Sequence, residues 1–257
     1  DPALFRNPTS EYRGTPFWAW NNRLDIAQLC RQIDVFKRMG FGGFHMHPRT
    51  GLDTEYLSDE YMDAVKACVE KAKSESMLAW LYDEDRWPSG AAGGLVTQDT
   101  RYRMRFLLFT CRPYASDNSG VTARTSASRT GEGTLLARYH VVLENECLHS
   151  YRRLAEGEPV PSGGNVWEAW LETAREIPWH NNQTYVDTLS RDAIRRFLEV
   201  THERYNTCVG DDFGTVVPAI FTDEPQRMHM TAFRRADDKA DLFIPWTGDF
   251  PDTFLSA

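Results

Sequence analysis

Side chains able to do acid, base or recognition chemistry gather in three short stretches of this 257-residue chain. The densest is Asp83-Glu84-Asp85-Arg86-Trp87-Pro88-Ser89-Gly90, where three carboxylates, a guanidinium and an indole sit side by side. Such a mixture is costly without partners. Arg86 offers a neutralising charge, and Trp87 a flat apolar face on which a sugar ring can stack. The second stretch is Phe221-Thr222-Asp223-Glu224-Pro225, which follows the apolar run Val216-Val217-Pro218-Ala219-Ile220. The proline keeps Glu224 out of helix, and a carboxyl at the end of an apolar strand is expected to be partly desolvated. Desolvation disfavours the charged form and raises the pKa, as a general acid at neutral pH requires, so Glu224 is the candidate catalytic acid. Its competing structural role is to cap a following helix. Strand alternation turns Asp223 away from Glu224, toward a structural or ligand contact. The third stretch, His45-Met46-His47, places two imidazoles on one strand face, where they can hydrogen-bond a substrate or ligate a metal. Two histidines fall short of a zinc shell and no later histidine set completes one, so hydrogen bonding is favoured and no metal ligand is assigned.

The elements that must position these groups follow from periodicity. Residues 16–20 read as a strand ending in Asn21-Asn22. Asp25, with Gln28 three residues on, caps a helix whose stripe is Ile26, Leu29, Cys30, Ile33 and Phe36. Residues 41–47 form a second strand, Ser58 caps a helix with Met62, Val65, Val69 and Ala72 on one face, and residues 77–82 form a third strand. This βαβαβ order predicts a parallel sheet, either open and doubly wound or closed into a barrel. Both architectures collect reactive groups at the carboxyl ends of strands, where Asn21, His45, His47 and Asp83–Asp85 fall. The rhythm then breaks. Strand patterns at 101–112, 134–145, 147–154 and 166–173, separated by polar loops at 116–120 and 159–164, mark residues 95–178 as a β-rich insertion. It resumes at Ser190, which caps a helix carrying Ile194, Phe197, Leu198, Thr201 and Tyr205, followed by a fourth strand at 216–221. The expected division is thus 1–94 for the first βα units, 95–178 for the insertion and 179–257 for the continuation.

Composition narrows the function classes. With 41% hydrophobic and 26% charged residues the chain can bury a core. A net charge of -8 gives no footprint for nucleic acid or an anionic membrane surface. No run of about 18 apolar residues is present. The start, Asp1-Pro2-Ala3, has neither an initiator methionine nor a signal core, so a processed or excised piece is expected. Five scattered cysteines without Cys-x-x-Cys spacing indicate buried thiols rather than a disulfide framework or zinc knuckle. Eight tryptophans, several beside Asn21, Asn22, Asn181 and Asn182, provide the flat faces and amides that carbohydrate pockets use.

Taken in order, Pro16-Phe17-Trp18-Ala19-Trp20-Asn21, Gly42-Gly43-Phe44-His45-Met46-His47-Pro48-Arg49, Tyr82 through Gly90 and Phe221 through Pro225 resemble the barrel domain of alpha-L-rhamnosidase-like glycoside hydrolases. The resemblance implies a TIM-type (β/α)8 barrel, here partial and interrupted by the β-rich insertion after strand three. It also implies hydrolysis of a glycosidic bond, such as an alpha-L-rhamnoside, by paired carboxylates, with Glu224 at the acid position. Trp18, Trp20, Asn21, His45, His47, Arg49, Asp83, Asp85, Trp87 and Asp223 would line the sugar pocket, with Glu84 a weaker candidate. The second carboxylate would come from Asp83–Asp85 or from a later strand; a separation of roughly 6.5–9.5 Å implies inversion and roughly 5–5.5 Å retention. No cofactor is required, although the resemblance admits carboxylate-bound calcium. Four strand ends where a closed barrel needs eight imply a missing C-terminal part or self-association to cover an open edge. The alternatives are a non-catalytic carbohydrate-binding or structural fragment, and a metal-dependent hydrolase using His45 and His47.

Overall fold

The computed structural model describes residues 1–117, 129–235 and 237–256. Asn118, Ser119 and Gly120 of the expected polar loop lie outside them. In chain order the elements are α1 (Pro2–Arg6), β1 (Phe17–Trp20), α2 (Ile26–Arg38), β2 (Gly43–Pro48), α3 (Asp59–Ser74), β3 (Leu78–Tyr82), β4 (Arg105–Thr110), β5 (Thr134–Glu144), β6 (Cys147–Leu154), β7 (Asn165–Thr173), α4 (Arg191–Val200), α5 (His202–Val209), β8 (Ile220–Phe221), β9 (Leu242–Pro245) and α6 (Phe250–Ser256). They sort into two units. Residues 1–96 with 195–225 form the first, and residues 97–194 with 226–257 the second.

The first unit holds a parallel sheet in the order β1-β2-β3-β8. Its crossover helices start where the caps place them: the Asp25 carboxylate accepts from Gln28 N at 2.7 Å and the Ser58 hydroxyl from Tyr61 N at 3.2 Å. Leu29 and Ile33 of α2, and Met62, Val65, Val69 and Ala72 of α3, are buried as the stripes require. One sheet face packs on these helices. Trp18 meets Phe36 at 5.4 Å and Trp20 meets Tyr61 at 5.5 Å. Alternation sends Phe17, His45, His47, Trp80 and Tyr82 to the opposite face.

The second unit is a five-stranded antiparallel sheet in the order β6-β5-β7-β4-β9. One face is closed by Phe106 and Leu108, both fully buried, and by Glu172, which accepts from the Tyr114 hydroxyl at 2.8 Å. This second sheet overturns the TIM-type (β/α)8 barrel expectation. Only four strands are parallel, and no eightfold βα repeat is formed among the described residues. From β4 to β7 the strands pair as antiparallel neighbours without crossover helices, and β9 pairs antiparallel with β4 instead of extending the parallel sheet, which only β8 rejoins. The expected strand at 216–221 is also shorter, with only Ile220–Phe221 in regular strand, although the Val216 and Ala219 carbonyls accept from Ala79 N and Leu81 N of β3; Pro218, lacking an N–H, cannot donate to a ladder.

The β2–β3 pairing depends on a missing side chain. A Cβ at Gly43 would stand 2.4 Å from the Leu78 carbonyl oxygen, whereas one at Gly14 would meet only the Phe41 ring at 3.5 Å. Gly43→Ala is therefore expected to cost about 1–3 kcal/mol in chemical denaturation, with Gly14→Ala close to the parent. Equal stability of the two variants would show that the strands do not approach this closely.

Candidate active site

The carboxyl ends of the four parallel strands carry the ionisable groups. Behind them, the sheet face away from α2 and α3 is an aromatic platform in which His45, His47 and Tyr82 are buried. His47 stacks on Tyr82 at 3.8 Å, Tyr82 on Phe221 at 4.9 Å and His45 on Trp80 at 5.0 Å. The edge-on ring of Phe17 reaches His45, His47, Tyr82 and Phe221, yet remains 57% exposed. An exposed ring anchored by four others is a rigid surface for a ligand with apolar faces.

Glu84 is enclosed beside this platform, 1% exposed. His47 Nε2 lies 3.3 Å and Arg49 3.7 Å from its Oε1, and its buried Oε2 has no hydrogen-bond partner among the described residues. Burial raises its pKa above the ordinary glutamate value; contact with His47 opposes the rise, and the charge of Asp223 adds to it. Asp223 in turn accepts the Tyr82 hydroxyl at 2.6 Å.

Asp83 is fully buried and ties β3 to β8. Its two oxygens accept the Ser89 and Thr222 hydroxyls, each at 2.6 Å, and its N–H donates to the Phe221 carbonyl at 3.2 Å. Ser89 Oγ also accepts from Asp223 N at 2.8 Å, and Ser89 N donates to the Asp223 carbonyl at 2.9 Å. Burial lifts the Asp83 pKa; the two hydroxyls, and His202 at 3.6 Å, oppose that lift. Asp83 therefore positions the loops.

Glu224 departs from the sequence expectation in one respect. Its side chain is exposed, so the anticipated desolvation falls on Glu84 and Asp83 instead. What holds Glu224 is geometry: the Trp87 indole N–H donates to Oε2 at 3.1 Å, and its backbone adopts a left-handed φ of 43°. That conformation is uncommon for a residue with a Cβ and directs the carboxylate away from the strand's alternation.

The other candidates separate by sheet face. Trp18 and Trp20 lie on the helix side, 8% and 2% exposed, with Trp18 Nε1 donating to Gln32 at 2.9 Å. Tryptophan beside a strand end looked like a pocket wall, but an even offset from Trp20 marks the helix face. Asn21 is exposed past β1; Arg49 is part of the Glu84 cluster; Asp85 lies 3.8 Å from Arg86. His45 Nδ1 is 3.1 Å from the Thr15 carbonyl, and burial lowers its pKa. Among the described residues, no group of three or more His, Cys, Asp or Glu side chains is placed to hold a metal ion. Neither the zinc alternative nor calcium on side-chain carboxylates finds its donor set there. Phe17, Trp80, Tyr82, Phe221, Ser89 and His202 were missed as site residues. Period-two counting from His45 picks out Phe17 through register and Trp80 and Tyr82 on the next strand; Ser89 and His202 carry no such mark.

No protein-family profile matches the sequence, and no curated protein does. Among solved structures, the fold is similar to that of a rhamnosidase from Novosphingobium sp. PP1Y, with a TM-score of 0.53 and 12% identity over 99% of this chain. The chain spans 41% of that protein's length. The likeness is one of fold.

Two outcomes follow from the buried acids. Because the folded pKa of Glu84 is raised, folding favours its protonated form, and its contribution to stability falls as pH rises from the ordinary glutamate range through the raised value. Melting temperatures measured across that range should decline with pH in the parent and decline less in Glu84→Gln. Ser89→Ala, which leaves an Asp83 oxygen without its donor, should cost about 1–3 kcal/mol in urea unfolding; no loss would remove Ser89 from the β3–β8 tie.

Proposed function

We propose that the strand-end cluster of the first unit is a glycoside-hydrolysing site, acting on a rhamnoside-like sugar, in which Glu224 is the proton donor. The observation that carries this reading is an exposed carboxylate held by an indole N–H on a left-handed backbone at a strand end. Such strain persists only where surrounding contacts over-determine it, and it clusters at functional positions. The exposed ring of Phe17 supplies a stacking face for the sugar, while His47 and Arg49, which meet Glu84, present donors at the same strand ends. The distant rhamnosidase likeness supports the choice of chemistry.

In this mechanism Glu224 delivers its proton to the glycosidic oxygen as the bond from that oxygen to the anomeric carbon breaks, and positive charge develops on the sugar ring. A second carboxylate then attacks the anomeric carbon or activates water. Asp223, partly exposed and hydrogen-bonded to Tyr82, is better placed for a ligand than the enclosed Glu84. Trp87, through its bond to Glu224, orients the donor.

Hydrolysis of a chromogenic alpha-L-rhamnoside tests the assignment. Glu224→Gln should lower kcat by about 10²–10⁴-fold with KM little changed. Trp87→Phe, which removes the N–H and keeps an aromatic ring, should lower kcat less. A parent rate retained in Glu224→Gln rejects the acid assignment. Rhamnoside binding without turnover in the parent supports instead the non-catalytic carbohydrate-binding reading.

A further inference from the structure

The antiparallel sheet of the second unit has a closed face and an open one, and the open face changes character along its length. At one end is a cavity of about 630 Å³ whose wall is aromatic and aliphatic, including Phe109, Tyr139, Trp167 and Trp246. Trp167 is 6% exposed and forms the floor, with Phe109 stacked against it at 5.0 Å, while Tyr151 at the rim is 68% exposed. Among the described residues, no charged side chain lines this part. At the other end is a second cavity, also about 630 Å³, lined by Arg103, Arg105 and Arg175 together with Thr130, Thr134 and Thr173.

Register shows that the two cavities share one sheet face. Leu107 of the aromatic cavity pairs directly with Leu171 of the cationic one, Phe109 with Ala169, and Arg105 with Thr173. Residues 105, 107 and 109 of β4 alternate onto the same side, as do 167, 169, 171 and 173 of β7. Six residue steps at about 3.4 Å make this a trough about 20 Å long.

Its charges are unevenly satisfied. Arg103 is bound by Glu176 at 2.7 Å and by Gln183 at 2.9 Å, and Arg175 donates to Ser116 and to the Arg129 carbonyl. The Arg105 side chain makes no hydrogen bond or ion pair to any described residue; the charge of the buried Asp187, whose Oδ2 accepts from the Thr247 hydroxyl at 2.8 Å, acts on it without direct contact. Arg103 and Arg175 are thus held within the unit and Glu132 and Glu176 line the same cavity, which leaves Arg105 as the guanidinium whose N–H groups no described side chain accepts. The complement of this surface is a ligand with several flat, uncharged ring faces and an oxyanion toward one end.

We propose that the open face of the antiparallel sheet binds an acidic oligosaccharide, its rings along Tyr139, Trp167 and Trp246 and a carboxylate or sulfate group at Arg105. The choice of carbohydrate rests on the glycoside reading of the first unit; the ring-plus-oxyanion chemistry rests on the trough alone. Tryptophan fluorescence and calorimetry on the intact chain test it without requiring turnover, so its failure is distinct from failure of the hydrolase assignment. A short oligogalacturonate and a sulfated oligosaccharide are the two acidic probes, a neutral oligosaccharide of equal length and naphthoate the controls. At least one acidic probe should quench tryptophan emission and bind with an affinity that weakens as salt rises. Arg105→Gln should weaken that binding by about tenfold or more while the neutral probe is unaffected, and Trp246→Ala should weaken it in a chain whose circular dichroism is unchanged. The stronger of the two acidic probes identifies the oxyanion. Equal binding of acidic and neutral probes, binding insensitive to Arg105→Gln, or no binding of either acidic probe overturns the proposal. Naphthoate binding as tightly as the oligosaccharides overturns the carbohydrate assignment.

Discussion

The arrangement at the strand ends depends on one buried carboxylate. Asp83 is a carboxyl group with no access to water, and such a group is tolerated only when its oxygens find hydrogen-bond partners. Ser89 and Thr222 supply them from two separate chain segments, one in the loop after β3 and one at the end of β8. The same serine also bonds Asp223 through both its hydroxyl and its N–H, so the demand of one carboxylate aligns the neighbouring acids. Tyr82 and Trp87 complete the alignment, one holding Asp223 and the other Glu224. A short β8 of two residues gains from side-chain ties what it lacks in ladder length.

The site separates two kinds of acid. Glu84 and Asp83 are enclosed and resist ionisation, whereas Glu224 is exposed and fixed by backbone and indole. Enclosed acids shape the local field and hold loops in place; an exposed, oriented acid can meet a substrate. Division of labour between neighbouring carboxyls of unlike environment is the general device by which acid and base roles coexist at one pH.

Much of this was legible along the chain. The caps at Asp25 and Ser58 and the stripes of α2 and α3 are local, set by hydrogen bonds and burial within a few residues, and periodicity reads them well. The strand-end position of His45, His47, Asp83 and Glu224 followed from the same reading. Two inferences failed because they needed non-local information. Trp18 and Trp20 belong to the helix-packing face, which alternation shows only once the partner strands are known. The barrel failed because β4 takes its partners β7 and β9 from far along the sequence, and an apolar alternating strand reads alike in either kind of sheet.

The amino-acid sequence by itself determined which segments become helices and strands, where the chain turns polar at strand ends, and that acidic and aromatic groups cluster there. Those properties arise from local hydrogen bonding, period and composition. Tertiary structure decided which acids are buried, which sheet each strand joins and which aromatic rings share a face. Burial and pairing depend on neighbours brought from tens of residues away: Thr222 on Asp83, Asp223 beside Tyr82, and β9 against β4.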